Sequence, residues 1–253
     1  MSDPVRAVVG VVGEDADPAV AAVEDAGGTP ATGDVDAVLS ADPDALIAVG
    51  ERAVLTLAAR PDPPAVPILP VAAGPGLRSV PRSAVSAGTR ALVAGDGRLT
   101  AYPVLSVRVD GDVCAHALQD VTLLTAEPAR ISEYAVATGD TTVAQFRADG
   151  VVVATPAGSH GYARRLDAPV VAADTGVALV TPIAPFATDA DHWVLDLDSL
   201  ALEVARDEVP VELLADDRRI GPVDAGVTVD VAPTATATLL TVPQSRPQFS
   251  DRA

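Results

Sequence analysis

The apolar pattern of this 253-residue chain changes its period near Gly95, and that change limits the fold more than any single motif does. Before it, buried-looking runs alternate with helix-like stretches. Val5–Val12 is a Val-rich run of the kind found in strands covered on both faces. Asp17-Pro18 then opens a helix, with Asp17 as N-cap and Pro18 in the first turn, which closes at Gly27-Gly28. Ala45–Val49 predicts a second buried strand, Ala53–Ala59 a second helix, and Val66–Leu69 a third strand that ends at Pro70. Strands alternating with helices predict a parallel, Rossmann-like sheet, and such sheets bind ligands at the carboxyl ends of their strands.

From Leu99 onward the chain reads as short extended segments. Arg108–Val113, RVDGDV, has an Asp-Gly hairpin turn between alternating residues. Further strands are expected over Ile131–Thr138, Val143–Phe146, Val151–Thr155, Gly176–Thr181, Trp193–Leu197, Leu202–Val204, Val211–Leu214, Val227–Val231 and Thr238–Val242. Many strands at roughly ten-residue spacing predict an all-β, sandwich-like domain. The expected organisation is an α/β domain over 1–95, a β-rich domain over 96–242 and a loosely ordered polar tail over 243–253.

Composition excludes several chemistries. Every one of the 17 basic residues is an arginine, so no lysine is present to bind phosphate in a P-loop, form a Schiff base or attach pyridoxal phosphate. Cys114 is the single cysteine, and His116, His160 and His192 are scattered, so no metal centre is expected. A net charge of −18 argues against nucleic-acid binding and suits a salt-rich cytoplasm, where screening relieves self-repulsion. No apolar run approaches the ~20 residues of a membrane span, and MSDPVRAVVG lacks the features of a signal peptide. A cytoplasmic protein without membrane or nucleic-acid partners is the expectation; homo-oligomers are left open.

One stretch carries most of the chemistry: Asp149–Tyr162, DGVVVATPAGSHGY, an apolar run emptying into a turn. Ala157-Gly158-Ser159-His160-Gly161 admits a hydrolase reading, with Ser159 as nucleophile on an elbow and His192 the only later histidine. It equally admits a ligand-wrapping loop. Three other segments favour the second reading: HALQDVTLL at His116–Leu124, ALVTPIAPFA at Ala178–Ala187 and LLADDRRI at Leu213–Ile220. In this order the four segments resemble the ATP-NAD kinase family, over about residues 99–235. The α/β-then-β order resembles that family's architecture too.

The resemblance implies a bound dinucleotide, NAD or NADP, held between domains mainly by the β-rich one. Asp149 would then hydrogen-bond a ribose or the nicotinamide amide, and Asp120 ribose hydroxyls. Thr155, Gly158, Ser159 and Tyr162 would form the loop around the ligand, while Gln119 replaces the family's Asn. His160 and Gly161 replace its Thr and Ala.

The family's Gly-Gly-Asp-Gly loop, whose amides cradle ATP phosphates and whose Asp acts as base, corresponds here to Val49-Gly50-Glu51-Arg52. In one register Glu51 replaces the Asp; in another Arg52 does, which leaves no base. Side chains then stand where glycines supplied backbone freedom, a degenerate loop. Gly50 and Arg52 are the expected ATP-side residues, with magnesium accompanying ATP if the protein is active. Two functions stay open: a kinase using Glu51, and a catalytically silent NAD(P)(H)-binding sensor or partner protein. A hydrolase is the third.

Overall fold

A computed structural model describes residues 7–127, 130–187, 191–207 and 209–249, and divides the chain into two compact units. The first comprises Met1–Tyr102 with Ala237–Ala253, the second Pro103–Thr236.

Unit 1 begins with β1 (Val8–Gly13), α1 (Asp17–Asp25), β2 (Thr29–Thr32), α2 (Val35–Ser40), β3 (Ala45–Val49), α3 (Glu51–Ala58), β4 (Ile68–Val71) and α4 (Val85–Val93). The four strands run parallel in the order β2-β1-β3-β4. All five residues of β3 are buried, as an interior parallel strand requires. Val9, Val11, Ile47, Leu69 and Val71 form one apolar cluster with Val23 of α1 and Leu92 of α4. Because the chain steps from β1 outward to β2 and then returns to place β3 on the other side, the sheet's topological switch point lies between β1 and β3. That is where α/β sheets open a crevice beyond the strand ends.

The chain continues with β5 (Arg98–Val109), which enters unit 2 at Pro103, β6 (Asp112–Ala117), β7 (Asp120–Thr125), β8 (Ser132–Thr138), β9 (Thr141–Ala148), β10 (Gly150–Ala154), α5 (Tyr162–Arg165), β11 (Val177–Ile183), β12 (Trp193–Asp196), β13 (Leu200–Arg206), β14 (Val211–Ala215), β15 (Arg218–Val223) and β16 (Thr228–Thr241), which returns to unit 1 at Ala237. Six strands pair in the order β12-β11-β10-β7-β14-β15, all antiparallel. β16, β13, β8 and β9 pair antiparallel in a second layer, with β5 and β6 beside β16. Buried Val, Leu and Ala from both layers, among them Leu123, Val151, Val180, Leu202 and Val229, share one core, as expected of a sandwich. The Asp110-Gly111 turn has φ of 50° and 86°, the double positive φ of a tight hairpin.

Four sequence expectations are corrected. The boundary expected at 95/96 lies at 102/103, because the Gly95 signal marks the end of α4 rather than the end of a unit. Val227–Val231 and Thr238–Val242, expected as two strands, are one strand, β16, which runs on through Pro233. Ala237 onward, including the segment read as a tail, belongs to unit 1: Leu239 pairs with Ile68, and the Arg246 N–H reaches the Ser79 carbonyl at 3.1 Å. Ala16, not Asp17, caps α1, and no side chain supplies the cap bond. Sequence reading also missed β2, α2 and α4, whose apolar periods are too short to stand out.

Candidate functional site

The predicted residues fall into two groups, one in each unit. In unit 2 the group is built on the tip of β10. The Thr155 hydroxyl donates to the Leu118 carbonyl at 2.7 Å, and the Thr155 N–H donates to Gln119 at 2.8 Å. The loop then folds over itself: the Ser159 N–H reaches the Thr155 carbonyl at 2.9 Å. Gly158 is indispensable here, since a Cβ on it would stand 2.1 Å from the Gln119 oxygen. Gly150 plays the same part at the other end of the strand, where a Cβ would meet the Leu123 oxygen at 2.3 Å. Gly150 therefore opens β10, and Asp149 sits at the bend that leads in from β9.

Segment 118–120 is held from the opposite side by a residue sequence reading did not single out. The Asp216 carboxylate accepts backbone N–H bonds from Leu118 at 2.9 Å, Gln119 at 2.7 Å and Asp120 at 3.1 Å. Its own N–H returns to the Asp120 carbonyl at 2.8 Å. Burial pushes the Asp216 carboxyl up, opposed by the three N–H donors and the Arg218 charge. Its signal lay in the segment Leu213–Ile220, LLADDRRI, which carries part of the family resemblance and contains Asp216.

Exposure sorts the loop residues by role. Thr155 is 1% and Ser159 0% exposed, whereas Gln119, Asp120, Asp149 and Tyr162 are partly open. Burial raises the Tyr162 hydroxyl pKa, and the charges of Asp120 and Asp149 push the same way. One phenol thus lies within electrostatic reach of both carboxylates, although they flank opposite ends of β10.

The hydrolase reading is corrected by this geometry. A nucleophile elbow exposes its hydroxyl. The Ser159 hydroxyl is instead sealed in, donating to the Pro156 carbonyl at 2.7 Å and accepting the Val171 N–H at 3.2 Å. His192 is engaged with the Thr181 hydroxyl at 3.3 Å. β10 also lies in an antiparallel sheet, not a doubly wound one.

In unit 1, Gly50, Glu51 and Arg52 sit at the switch point. A cavity of about 450 Å³ is lined by Gly13 and Glu14 at the end of β1, by all three of these residues, and by Arg82. A Cβ on Gly13 would meet the Val49 oxygen at 2.1 Å, so this close approach of the two strand ends needs glycine. Gly50 is the residue that turns the chain into α3, with φ 91° and ψ 154°. Val49 ends β3 and Arg52 lies inside α3, so neither occupies a conformation that demands glycine. The expected loss of backbone freedom is corrected accordingly: the one position that uses a left-handed φ kept its glycine. Glu51 stands in the first turn of α3, where the helix dipole favours an anion.

Residues 118–240 match the family model described as the ATP-NAD kinase C-terminal domain. That segment, just under half of the chain, carries the ATP-NAD kinase C-terminal domain. An NAD kinase of Methanosarcina barkeri is 35% identical over 95 residues, covering 38% of this chain and 34% of that protein. The aligned stretch thus spans about a third of that curated relative's length. Among solved structures, an NAD kinase from Archaeoglobus fulgidus in complex with ATP superposes with a TM-score of 0.72 at 20% identity, over 93% of each chain. Yeast NADH kinase complexed with NADH gives 0.73 at 15% identity, over 96% of this chain and 89% of that one. The ATP-NAD kinase fold therefore extends through both units, beyond the residues that align in sequence. No helix among the described residues is long and apolar enough to cross a membrane.

Proposed function

We propose that this protein transfers a phosphoryl group from ATP to the 2′-hydroxyl of NAD, giving NADP. The observation that carries the reading is the Gly50-Glu51 turn, which keeps the left-handed glycine and sets a carboxylate on the switch-point cavity. Glu51 accepts the proton of the 2′-hydroxyl as its oxygen attacks the γ-phosphorus. The new O–P bond forms as the β–γ bridge bond breaks and ADP leaves. The Gly13 and Gly50 backbone and the first turn of α3 receive donor phosphates, and Arg52 offsets their charge.

In unit 2, Asp120, Asp149, Gln119 and Tyr162 contact the dinucleotide, NAD or NADP. Thr155, Gly158 and Ser159 act by shaping the loop, a division supported by their burial. Magnesium accompanies the donor. Among the described residues no cluster of three His, Cys, Asp or Glu side chains could bind a metal alone. Glu14, on the same cavity, would offer that ion a carboxylate oxygen, and the ion would neutralise phosphate charge. The acidic, lysine-free composition supports a salt-rich cytoplasm as the setting.

A second reading, a dinucleotide-binding protein without transfer activity, is favoured by Arg52 where the family loop has glycine. The purified protein with ATP, magnesium and NAD in high KCl decides between them. NADP formation that Glu51→Gln abolishes, with NAD affinity unchanged, is the expected result. NAD binding without NADP formation selects the silent binder, and no binding of NAD, NADH, NADP or NADPH to folded protein refutes both.

A further inference from the structure

Arg82 belongs to none of the motifs, yet it lines the switch-point cavity together with Gly13, Gly50, Glu51 and Arg52. It comes from the short 3₁₀ turn Arg82–Ala84 that precedes α4, whereas Arg52 comes from the first turn of α3. Two guanidinium-bearing side chains from separate elements thus converge on one concavity, in a chain that has no lysine and a net charge of −18. Against such a background, a polyanion needs local positive charge to approach at all. Arginine is also the side chain whose planar fork matches phosphate oxygens two at a time.

In this structure Arg82 is paired with Asp15, which follows β1, at an N–O distance of 3.7 Å. That is well beyond the ~2.7–2.9 Å of a good charge-assisted hydrogen bond. Both side chains are more than half exposed, 53% and 84%, so the pair is a weak surface contact. Asp15 lines a small adjoining cavity together with Arg82, and it is not among the residues that line the larger one.

We infer that Arg82 is a phosphate latch for the donor, one that exchanges the Asp15 carboxylate for the outer phosphates of a nucleoside triphosphate. The inference rests on the reading of this cavity as the donor site and adds which side chain reads phosphate number. Asp15 acts as an internal competitor that holds the guanidinium at the cavity mouth. Its φ of 53° is one that asparagine also adopts, so Asp15→Asn removes the charge without straining the backbone.

Calorimetry with ATP, ADP and AMP on the full chain, at one fixed KCl concentration, tests this. The wild type should bind ATP more tightly than AMP. Arg82→Ala should weaken ATP roughly tenfold and leave AMP nearly unchanged, as expected when a charge-assisted contact to the outer phosphates is lost. Asp15→Asn should tighten ATP, and NAD affinity should be the same in all three proteins, which reports an intact fold. Wild-type ATP affinity in Arg82→Ala, equal wild-type affinity for ATP and AMP, or no binding of either would overturn the inference. NADP formation separates it from the kinase reading. An inactive wild type whose ATP binding depends on Arg82 refutes transfer and leaves the latch standing, whereas an active enzyme indifferent to Arg82→Ala does the reverse.

Discussion

Asp216 accepts the backbone N–H of Gln119 at 2.7 Å, a bond between residues 97 positions apart. The same carboxylate takes the N–H groups on either side, so one part-buried side chain sets the path of segment 118–120. Gln119 and Asp120 are presented by that path, which makes Asp216 a positioning residue for a site it does not enter.

Asp216→Ala should therefore destabilise unit 2 by about 3 kcal/mol or more, since three backbone donors lose their carboxylate acceptor together. Chemical denaturation in high salt measures the loss. Dinucleotide binding should fall further than stability alone explains, because the Gln119–Asp120 backbone is released. Asp216→Asn retains one acceptor oxygen and should rank between wild type and alanine.

Gly158→Ala tests the closeness of the loop to segment 118–120. The added methyl carbon cannot stay 2.1 Å from the Gln119 oxygen, and that oxygen is backbone, so one of the two segments must move. Such overpacking costs about 1–3 kcal/mol. Calorimetry should show dinucleotide binding lost in a protein that still melts cooperatively; unchanged affinity would mean the loop does not face the ligand.

Ser159 should fail to react with a fluorophosphonate probe in the native protein, because its hydroxyl is buried between the Pro156 carbonyl and the Val171 N–H. Ser159→Ala removes both bonds and should lower stability by about 1–2 kcal/mol, with the binding defect following from the loosened loop. Covalent labelling of the native serine would contradict this geometry.

His160 makes stability depend on pH. Its ring Nε2 is buried without a hydrogen-bond partner, and burial, aided by the Arg164 charge, lowers its pKa from the ordinary 6.5. The unfolded chain takes up a proton near that ordinary value, while the folded protein does so only at lower pH. Stability is thus complete above about 6.5 and is lost as pH falls toward the folded value. Denaturation at several pH values between about 5 and 7.5 should show that decline. His160→Gln should flatten it without removing it, since the His116 pKa is lowered by burial as well.

Local periodicity made the two architectures legible from the sequence. The uninterrupted run Ala45–Val49 could only be a covered strand, the Asp110-Gly111 pair could only turn a hairpin between alternating residues, and four motifs in order named the family. Those features depend on neighbours within a few positions. Tertiary structure decided the rest. The continuity of β16 through Pro233 depends on strand partners distant in sequence. Whether the Ser159 hydroxyl is a nucleophile or a sealed strut depends on Val171, twelve residues on. That the Gly50-Glu51 turn sits beside Gly13 follows from a strand order that places β3 against β1. Asp216 illustrates the physical reason most plainly: a carboxylate in a hairpin turn reads as solvated surface until the sheet pairs β14 with β7 and buries it against three N–H groups.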